Sequence, residues 1–497
     1  MKRAAAMALI LCLLLTGCVP LTSELHSMDA QYEMPLPQET VEPAVGDAVA
    51  PRIVSAVLYY PSDDMTELIP QQTWLTVNAG QTLPQCLMEA LLEEPASPEA
   101  RRIAPEGTSL LSARRSGGTV VVNLSLEARG TDTLRELFIM RQAIISTLCG
   151  LDGINYVDVL IAGRAEPAFS LPSGAGWEDG MTIPARWSQG LSEDEMARDS
   201  ASSIARLAVI YHPARGSRYV IPEARVVAIE GGDALSALLA ALNGESGLDP
   251  ALKPVLPDSD GAIITGAEIV TLADGRRVAR LTFDGNLSAI LERGRLNAWQ
   301  MYAALTCTFT GFLPELDGIQ VYVGSGQLAR VESPDGEITL ENGVMPRALF
   351  ERTIGCLETI YMTASDGSLR PLGRAMSQED ALSPRMLLAP LFGEPQGWEE
   401  GVSRVVPDGL TIGDLLGILI ENGEVTLNVS ASFYAGCQRL NSQQERNLVF
   451  ALVNTLTEQS GVRSVRFQVE GERVDVLVHD ISLLSPLMRN PGLISDG

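Results

Sequence analysis

The sequence predicts an α+β protein of three tandem ferredoxin-like domains, each a two-layer sandwich with two helices on one face of an antiparallel sheet. Three observations carry this prediction. The chain has 497 residues, 46% of them hydrophobic and 20% charged, which is typical of a folded chain with domains of roughly 100–200 residues. A short motif recurs at intervals of about 150 residues. The same succession of hydrophobic patterns follows each occurrence.

The repeated unit opens with an apolar strand that contains a tyrosine. The matching segments are Val57–Pro61, Val209–Pro213 and, more loosely, Thr359–Thr363, with tyrosines at 59, 211 and 361. About ten residues later each unit has a proline, at Pro70, Pro222 and Pro371. A short additional strand is predicted near Trp74–Val77. These correspondences predict three versions of one folding unit.

A first helix follows in each unit. Apolar residues recur at three- and four-residue spacing, the pattern of one buried helix face. They are Leu83, Leu87, Met88, Leu91 and Leu92, then Leu235, Leu238, Leu239 and Leu242, then Met386, Leu387, Leu388 and Leu391. The first and third helices are predicted to stop before Pro95 and Pro395, because proline cannot continue a helix.

A hairpin, a second helix and a closing strand complete each unit. The hairpin turns are Gly117-Gly118, Asp274-Gly275 and Asn422-Gly423, dipeptides that tolerate the positive φ of tight turns. The outgoing strands are 120–125, 278–284 and 425–430, the helices include 134–148, 299–305 and 448–456, and the closing strands are 157–161, 319–323 and 465–469. Strand, helix, hairpin, helix, strand is the order of the split ferredoxin-like arrangement.

The units set the predicted domain organisation. The segments are a signal peptide with a lipobox at 1–18, a Pro- and acid-rich tether at 19–50, domains at 51–165, 204–328 and 356–480, linkers at 166–203 and 329–355, and a C-terminal tail at 481–497. Apolar runs at 474–477 and 481–487 have no counterpart in the other units. They are expected either to cap the last unit or to offer an edge to another chain.

The N-terminus predicts a lipid anchor. Lys2 and Arg3 precede an apolar stretch over residues 4–15, which is too short to span a bilayer. The stretch ends in the tetrapeptide LTGC at residues 15–18, which resembles the bacterial lipobox. Cys18 is therefore the predicted lipid-anchor residue, the alternative being an ordinary cleaved signal with a chance cysteine. No later segment has 18 uninterrupted apolar residues, so the chain is expected outside the cytoplasm, attached to the membrane without crossing it.

Composition argues against several classes of function. With 62 acidic and 36 basic residues the formal charge is −26, which argues against a nucleic-acid binder because such proteins need excess Lys and Arg. The three histidines, His26, His212 and His479, lie far apart in sequence. No P-loop and no G-x-S-x-G elbow occurs. The sequence therefore predicts no enzyme, no catalytic residues, no cofactor and no metal site.

Weaker motifs have simpler interpretations than catalysis. Gly174–Gly176 lacks the last glycine of a dinucleotide fingerprint, and Asp258–Gly261 resembles a calcium loop whose glycine comes too early. Glu93-Glu94 and Glu399-Glu400 could hydrolyse wall glycans, but among 62 acids such pairs are expected on solvated faces. The tyrosines that could stack on sugars alternate along an apolar strand, which favours the core; they are Tyr59, Tyr60 and Tyr211.

Five cysteines follow the signal segment, and two interpretations stay open. They are Cys86, Cys149, Cys307, Cys356 and Cys437. The odd number, the lack of a C-x-x-C pair and the apolar helical patterns around the first three favour free buried thiols. A Cys86–Cys149 or Cys356–Cys437 disulfide is the alternative outside the cytoplasm, because spacing alone does not decide it.

Several stretches resemble the GerM domain of bacterial sporulation and spore-germination lipoproteins. They are LYYP at 58–61, ALLEEP at 90–95, IAPEGTSLL at 103–111, VVNLS at 121–125 and ALVNTLTE at 451–458. The resemblance covers 53–164, 356–471 and, less closely, 204–326. It implies domains of the ring-building type in a non-enzymatic, lipid-anchored part of the channel-like complex between mother cell and forespore. The familiar form has two such domains and this chain is predicted to have three, so the family's partners do not transfer directly.

The sequence thus predicts a membrane-anchored extracytoplasmic scaffold that acts by protein–protein contacts in sporulation or spore germination. Expected partners are other envelope or sporulation-complex proteins, with self-association into rings a further expectation and no nucleic acid. Cys18 would hold the chain on the membrane, and sheet edges or helix faces would dock onto other subunits. The alternatives are a peptidoglycan-binding or remodelling accessory lipoprotein and a chaperone-like lipoprotein regulator of a sensor kinase.

Overall fold

The computed structural model describes most of the chain after the predicted tether. The described residues are 50–63, 68–130, 134–151, 153–154, 156–165, 203–230, 233–242, 249–257, 262–459, 461–479 and 481–495. Four predicted segments lie outside the described residues: the signal peptide with Cys18, residues 19–49 of the tether, residues 166–202 of the first linker (Gly174–Gly176 among them) and the whole Asp258–Gly261 motif.

The first unit opens with a hairpin of two long strands. β1 (Arg52–Pro61) pairs antiparallel with β2 (Leu68–Val77) over the full length of both, so the additional predicted strand is present and longer than expected. α1 (Leu83–Leu92) follows and begins with a capping box, in which the Thr82 hydroxyl accepts from the Gln85 N–H and the Gln85 side chain accepts from the Thr82 N–H.

A mixed sheet completes the first unit. Its elements are β3 (Leu110–Ser116), β4 (Thr119–Leu124), α2 (Leu134–Leu148), β5 (Tyr156–Ile161) and β6 (Arg164–Ala165). The strand order is β3-β4-β5-β6. β3 and β4 are antiparallel around the predicted Gly117-Gly118 turn, whereas β4 and β5 are parallel and α2 is the crossover between them.

The second and third units repeat this order of elements. The second has β7 (Ser203–Pro213), β8 (Val220–Glu230), α3 (Ala234–Leu242), β9 (Ile264–Thr271), β10 (Arg277–Phe283), α4 (Leu287–Arg293), α5 (Ala298–Phe312), β11 (Gly318–Val323) and β12 (Gly326–Gln327), followed by β13 (Arg330–Ser333), β14 (Gly336–Thr339) and β15 (Val344–Met345). The third has β16 (Gly355–Ala364), β17 (Leu369–Ser377), α6 (Gln378–Ala381), α7 (Pro384–Leu388), β18 (Val402–Ser403), β19 (Leu415–Glu421), β20 (Glu424–Val429), α8 (Ala431–Cys437), α9 (Ser442–Leu456), β21 (Ser464–Val469), β22 (Glu472–Arg473) and β23 (Leu487–Met488). The pairs β10/β11 and β20/β21 are parallel, as β4/β5 is.

The α+β class is confirmed, but the ferredoxin-like topology with its antiparallel sheet is wrong. Among the described strands, the opening strand of each unit pairs with the next strand and does not join the sheet of the closing strand. A helix lies along the other edge of the opening strand. The backbone N–H of the strand tyrosine donates to a helix threonine hydroxyl in all three units: Tyr59 to Thr147 (3.1 Å), Tyr211 to Thr308 (3.0 Å) and Tyr361 to Thr455 (3.3 Å).

The repeated prolines explain why these amides point away from the hairpin. Pro70, Pro222 and Pro371 lie directly opposite the three tyrosines in the hairpin registers. Proline has no N–H to give to a ladder and is tolerated where none is needed. The tyrosine amide at the same position is thus available for the helix.

Each unit has its own hydrophobic core, and the predicted helix faces are mostly buried in it. Leu448, Leu452, Val453 and Leu456 are fully buried on α9, for example. Met386 is an exception: it is 42% exposed, so its predicted place in the core is wrong. The helix here is short, because α7 gives way to a 3₁₀ turn over Ala389–Phe392 that contains Pro390.

Segments predicted as linker and tail fold onto the units that precede them. Within 329–355, β15 pairs with β11, and Phe350 is buried against Trp299 with ring centroids 4.6 Å apart. In the tail, β23 pairs with β21 in the equivalent way. The tail therefore caps the last unit, the first of its two expected roles.

No disulfide joins Cys86 to Cys149 or Cys356 to Cys437. Burial raises the pKa of the Cys307, Cys356 and Cys437 thiols to about 12. Among the described residues, no helix is long and apolar enough to cross a membrane.

Candidate interaction surfaces

The two carboxylate pairs do not form a common site. Glu93 and Glu94 are exposed at the end of α1. Glu400 is also exposed, but Glu399 is buried, where the Arg374 guanidinium donates to both of its oxygens. The expectation of a solvated face is therefore wrong for Glu399, which is half of a structural ion pair. Within the described ranges, no group of three or more His, Cys, Asp or Glu side chains is placed to hold a metal ion.

The tyrosines of the opening strands are mostly buried, as the alternation predicted. Tyr60 and Tyr211 are each 3% exposed, and Tyr59 is half-buried. In the third unit Tyr361 meets Arg489 and Glu458: Arg489 donates to the Tyr361 phenol oxygen and to Glu458 (2.6 Å), and the phenol donates to Glu458. Burial raises the pKa of Tyr361, which Glu458 reinforces and Arg489 opposes.

The second unit has a similar cluster around Arg347. Arg347 donates to the Tyr211 phenol oxygen (2.6 Å) and to the carbonyl of Cys307 (2.8 Å). Arg489 likewise donates to the carbonyl of Asn454 (3.2 Å). Both arginines come from the segments that follow the second and third units. These clusters therefore hold the segments in place and bury Tyr211 and Tyr361.

Charged groups from all three units meet where the β3–β4 turn inserts between the other units. The Gly118 N–H donates to the Glu223 carboxylate of the second unit (3.2 Å). Arg114 lies 4.0 Å from Glu358 of the third unit. Burial raises the pKa of Glu358, an effect that Arg114 opposes. The first unit thus brings a backbone amide and the Arg114 guanidinium to acidic side chains of its neighbours.

An apolar cluster lies beside these charges, and we call it the junction cluster. It consists of Ala214, Ile221, Ala251, Leu252 and Leu357, with Tyr219, Ala375 and Trp398 packed against it. Leu357 and Ala375 are opposite each other in the β16/β17 hairpin. A Cβ on Gly117 would lie 3.6 Å from the Cβ of Leu357. This face of the third hairpin is therefore buried between units.

The first unit touches the third at a second place. The Gly80 N–H donates to the carbonyl of Arg489 (3.1 Å), and the Gly492 N–H donates to the carbonyl of Ala50 (2.9 Å). The first unit and the residue just before it are thus joined to the C-terminal segment by backbone hydrogen bonds.

The equivalent face of the first hairpin is exposed, and we call it the open hairpin face. Its apolar residues are Ile53 (67% exposed), Val57 (40%) and Trp74 (70%). Trp74 lies opposite Ser55, just as Ala375 lies opposite Leu357, when the units are aligned on Tyr59 and Tyr361. The same face of the hairpin is therefore buried in the third unit and exposed to solvent in the first.

A second exposed apolar surface follows β19, the outermost strand of its sheet, and we call it the apolar edge. It consists of Leu416 (46% exposed), Leu419 (54%) and Ile420 (44%). No charged residue occurs in β19 before Glu421. Charged side chains and prolines, which often protect an exposed strand edge, are absent from Leu415–Ile420.

Sequence reasoning did not single out either surface. The alternation of β1 and β2 predicts that the hairpin has two different faces. Whether the outer face is covered depends on contacts between units, which the alternation does not show. The sequence signal for the apolar edge was stronger. β19 is a nearly continuous apolar run, whereas the equivalent strands of the other units, β3 and β9, carry arginine or glutamate. Such a run fits an edge as well as a buried strand until the sheet order is known.

Fold and surfaces together define an α+β protein of tandem domains with two exposed apolar surfaces on its described part. The profile of the Germane family, described as sporulation and spore germination, matches residues 57–166 and 359–475. These ranges fall in the first and third units, so two units of the chain match the model of the GerMN (Germane) domain family.

Solved structures give weaker similarities. The tandem GerMN domains of the sporulation protein GerM from Bacillus subtilis are 18% identical with a TM-score of 0.23, covering 57% of this chain and 98% of theirs. The first GerMN domain of that protein is 18% identical with a TM-score of 0.22, covering 27% and 97%. A protein from Clostridium perfringens described as a "putative lipoprotein" is 20% identical with a TM-score of 0.19, covering 30% and 94%. No curated protein matches the chain.

Proposed function

We propose that this protein is a lipid-anchored extracytoplasmic scaffold that acts by protein–protein contacts in sporulation or spore germination. The observation that carries the proposal is the open hairpin face. Its equivalent in the third unit is a buried contact between units, whereas here Trp74 is 70% exposed. An exposed aromatic flanked by aliphatic side chains is a typical anchor of a protein interface.

The middle unit is proposed as a third GerMN-type domain. It has the same order of elements, and the bond from Tyr211 to Thr308 matches those in the units on either side. A scaffold of three such domains offers several similar faces in fixed relative positions. The partners are proposed to be other envelope or sporulation-complex proteins, and the protein is proposed to have no catalytic role.

Photo-crosslinking in the native host tests the scaffold function. A photoreactive amino acid replaces Trp74, and the matched control replaces Leu126, which is 55% exposed in the same unit but lies outside the open hairpin face. Protein adducts at position 74 that are absent at position 126 are the expected result. Adducts at position 74 that disappear on muramidase digestion would support the peptidoglycan-binding alternative and overturn the scaffold.

Membrane attachment is tested separately through Cys18. The expected result is that Cys18→Ala loses incorporation of radiolabelled fatty acid and moves from the membrane fraction to the soluble envelope fraction, because a diacylglycerol anchor is what holds the chain. Cys86→Ala is the control and should keep both properties. Continued lipid labelling of the Cys18 variant would refute the anchor.

A further inference from the structure

We propose that a second copy of this chain docks head to tail on the first, with its apolar edge (Leu416, Leu419, Ile420) against the open hairpin face (Ile53, Val57, Trp74). The inference rests on the proposed function, because it assigns one partner to the surfaces described above. Both surfaces are exposed on the same chain, and neither is covered by described residues.

A contact of this kind already exists within the chain. The end of β3 and its turn lie against β16, where Arg114 faces Glu358 and Gly117 approaches Leu357. The first unit therefore docks through the strand that starts its sheet onto the opening hairpin of the third unit. In the proposed contact the third unit docks in the same way onto the opening hairpin of the first unit of another copy.

The strand that would dock changes from basic to apolar between the first and third units. Aligning the turns Gly117-Gly118 and Asn422-Gly423 puts Leu419 and Ile420 where β3 has Arg114 and Arg115. Aligning Tyr59 with Tyr361 puts Ser55, which lies opposite Trp74 on the open hairpin face, where β16 has Leu357. The position that Gly117 approaches inside the chain thus corresponds to the position beside Trp74, and an apolar edge in place of a basic one would meet it between chains.

The rest of the open hairpin face supports an apolar partner. Trp74 lies beside Ser55, and Val57 lies beside Gln72, so the outward positions around the tryptophan carry no charge. Burying an exposed tryptophan and its aliphatic neighbours is the kind of contact that dominates interface energies. An edge strand with three exposed apolar side chains presents a matching surface.

The charge of the chain favours this surface over others for self-association. Two copies with a formal charge of −26 each repel one another, so an attractive contact must come from patches without charge. Screening reduces the repulsion, and association is therefore expected to strengthen with salt. Because the contact uses two different surfaces, a head-to-tail dimer still exposes one open hairpin face and one apolar edge. Further copies can therefore add to it.

Sedimentation velocity of the purified chain from residue 19 onward tests the proposal. The wild type at roughly 1–100 μM is expected to form species larger than a dimer, more strongly at 0.5 M than at 0.05 M salt. Trp74→Glu and Leu419→Glu should each weaken association at least about tenfold. A 1:1 mixture of the two variants should form a dimer and stop, because each variant keeps the surface that the other has lost.

Leu126→Glu is the matched control, since it adds the same charge at an exposed leucine outside both surfaces and should associate like the wild type. A monomeric wild type throughout this range overturns the proposal. So does normal association of Trp74→Glu, which would mean that two apolar edges pair with each other. A monomer in solution combined with cross-links from position 74 to a different protein in the host overturns self-association and leaves the scaffold function intact.

Discussion

The backbone N–H of Tyr211 donates a hydrogen bond to the hydroxyl of Thr308, 3.0 Å away, in the centre of the second unit. The same bond joins Tyr59 to Thr147 and Tyr361 to Thr455. It replaces the strand-to-strand pairing that a ferredoxin-like sheet would have at this edge, so the threonine position determines how the opening hairpin is attached to its unit.

Removal of this acceptor should destabilise the unit. Thr308→Val keeps the shape of the side chain but leaves the buried Tyr211 amide without a partner, which costs about 1–3 kcal/mol of the free energy of unfolding. Urea unfolding followed by circular dichroism measures the loss. Thr306→Val is the control on the same helix: among the described atoms the buried Thr306 hydroxyl has no partner, so this change should be neutral or stabilising. Equal losses for both variants would contradict the role of Thr308.

The tandem units and the local elements could be predicted from the sequence, because they are recorded in local patterns. The turns at Gly117-Gly118 and Asn422-Gly423 are where the dipeptides predicted them, with Asn422 at a φ of 52°. Alternation of apolar and polar residues predicted the strands, and helical spacing predicted most of the buried helix faces. Each pattern involves residues only a few positions apart.

The topology could not be predicted, because it depends on which edge of the opening strand a helix occupies. The Tyr59–Thr147 bond joins residues 88 positions apart, and no local pattern distinguishes it from a strand pairing. The contact surfaces were hidden for a similar reason. Leu357 is buried by the other units, whereas its equivalent Ser55 is exposed, and the alternation of the two strands is the same.

Three of the thiols should resist alkylation in the folded protein. Burial raises the pKa of Cys307, Cys356 and Cys437 to about 12, so little thiolate exists at pH 8, and thiolate is the reactive form. Brief treatment with iodoacetamide, read by peptide mass spectrometry, should leave all three unmodified. The same treatment in 8 M urea should modify all three. Failure of Cys356 and Cys437 to react in urea without reductant would instead reveal the disulfide that the structure lacks.

The junction between units should lose stability as the pH rises from acid to neutral. Burial raises the pKa of Glu358 above its ordinary value of 4.5, with Glu458 adding to the effect and Arg114 opposing it. A carboxyl with a raised pKa in the folded state contributes stability that is complete below the unfolded value and is lost as the pH rises through the folded value. Glu358→Gln cannot ionise, so its melting temperature should rise relative to that of the wild type between about pH 4.5 and pH 7.

Asp414→Asn is the control of opposite sign. The Thr411 amide and the Ser430 hydroxyl lower the pKa of Asp414 below 3.8, so its contribution is present above that value and is lost as the pH falls. The melting temperature of the wild type should therefore rise relative to that of Asp414→Asn as the pH rises through the region around 3.8. A difference between wild type and Glu358→Gln that is the same at pH 4.5 and pH 7 would exclude a raised pKa for Glu358.

The buried pair of Arg374 and Glu399 should be far more sensitive to truncation than an exposed pair. Their side chains are 7% and 0% exposed, and burial lowers the pKa of Arg374 to about 10. Arg374→Met leaves the Glu399 carboxylate buried without its cation, which costs about 3–5 kcal/mol of unfolding free energy. Adding Glu399→Gln should recover part of this loss, because the second change removes the stranded charge.

Arg330→Met tests the same truncation at the surface. Arg330 and Glu337 also form an ion pair, at 3.1 Å, but their side chains are 65% and 51% exposed, so the loss should stay below about 1 kcal/mol. Denaturant unfolding of the four proteins at one pH makes the comparison. Because Trp398 of the junction cluster directly precedes Glu399, its fluorescence should also change in Arg374→Met and stay unchanged in Arg330→Met. A loss in Arg374→Met no greater than that in Arg330→Met would mean that water reaches Glu399 and that the pair does not hold this side of the junction together.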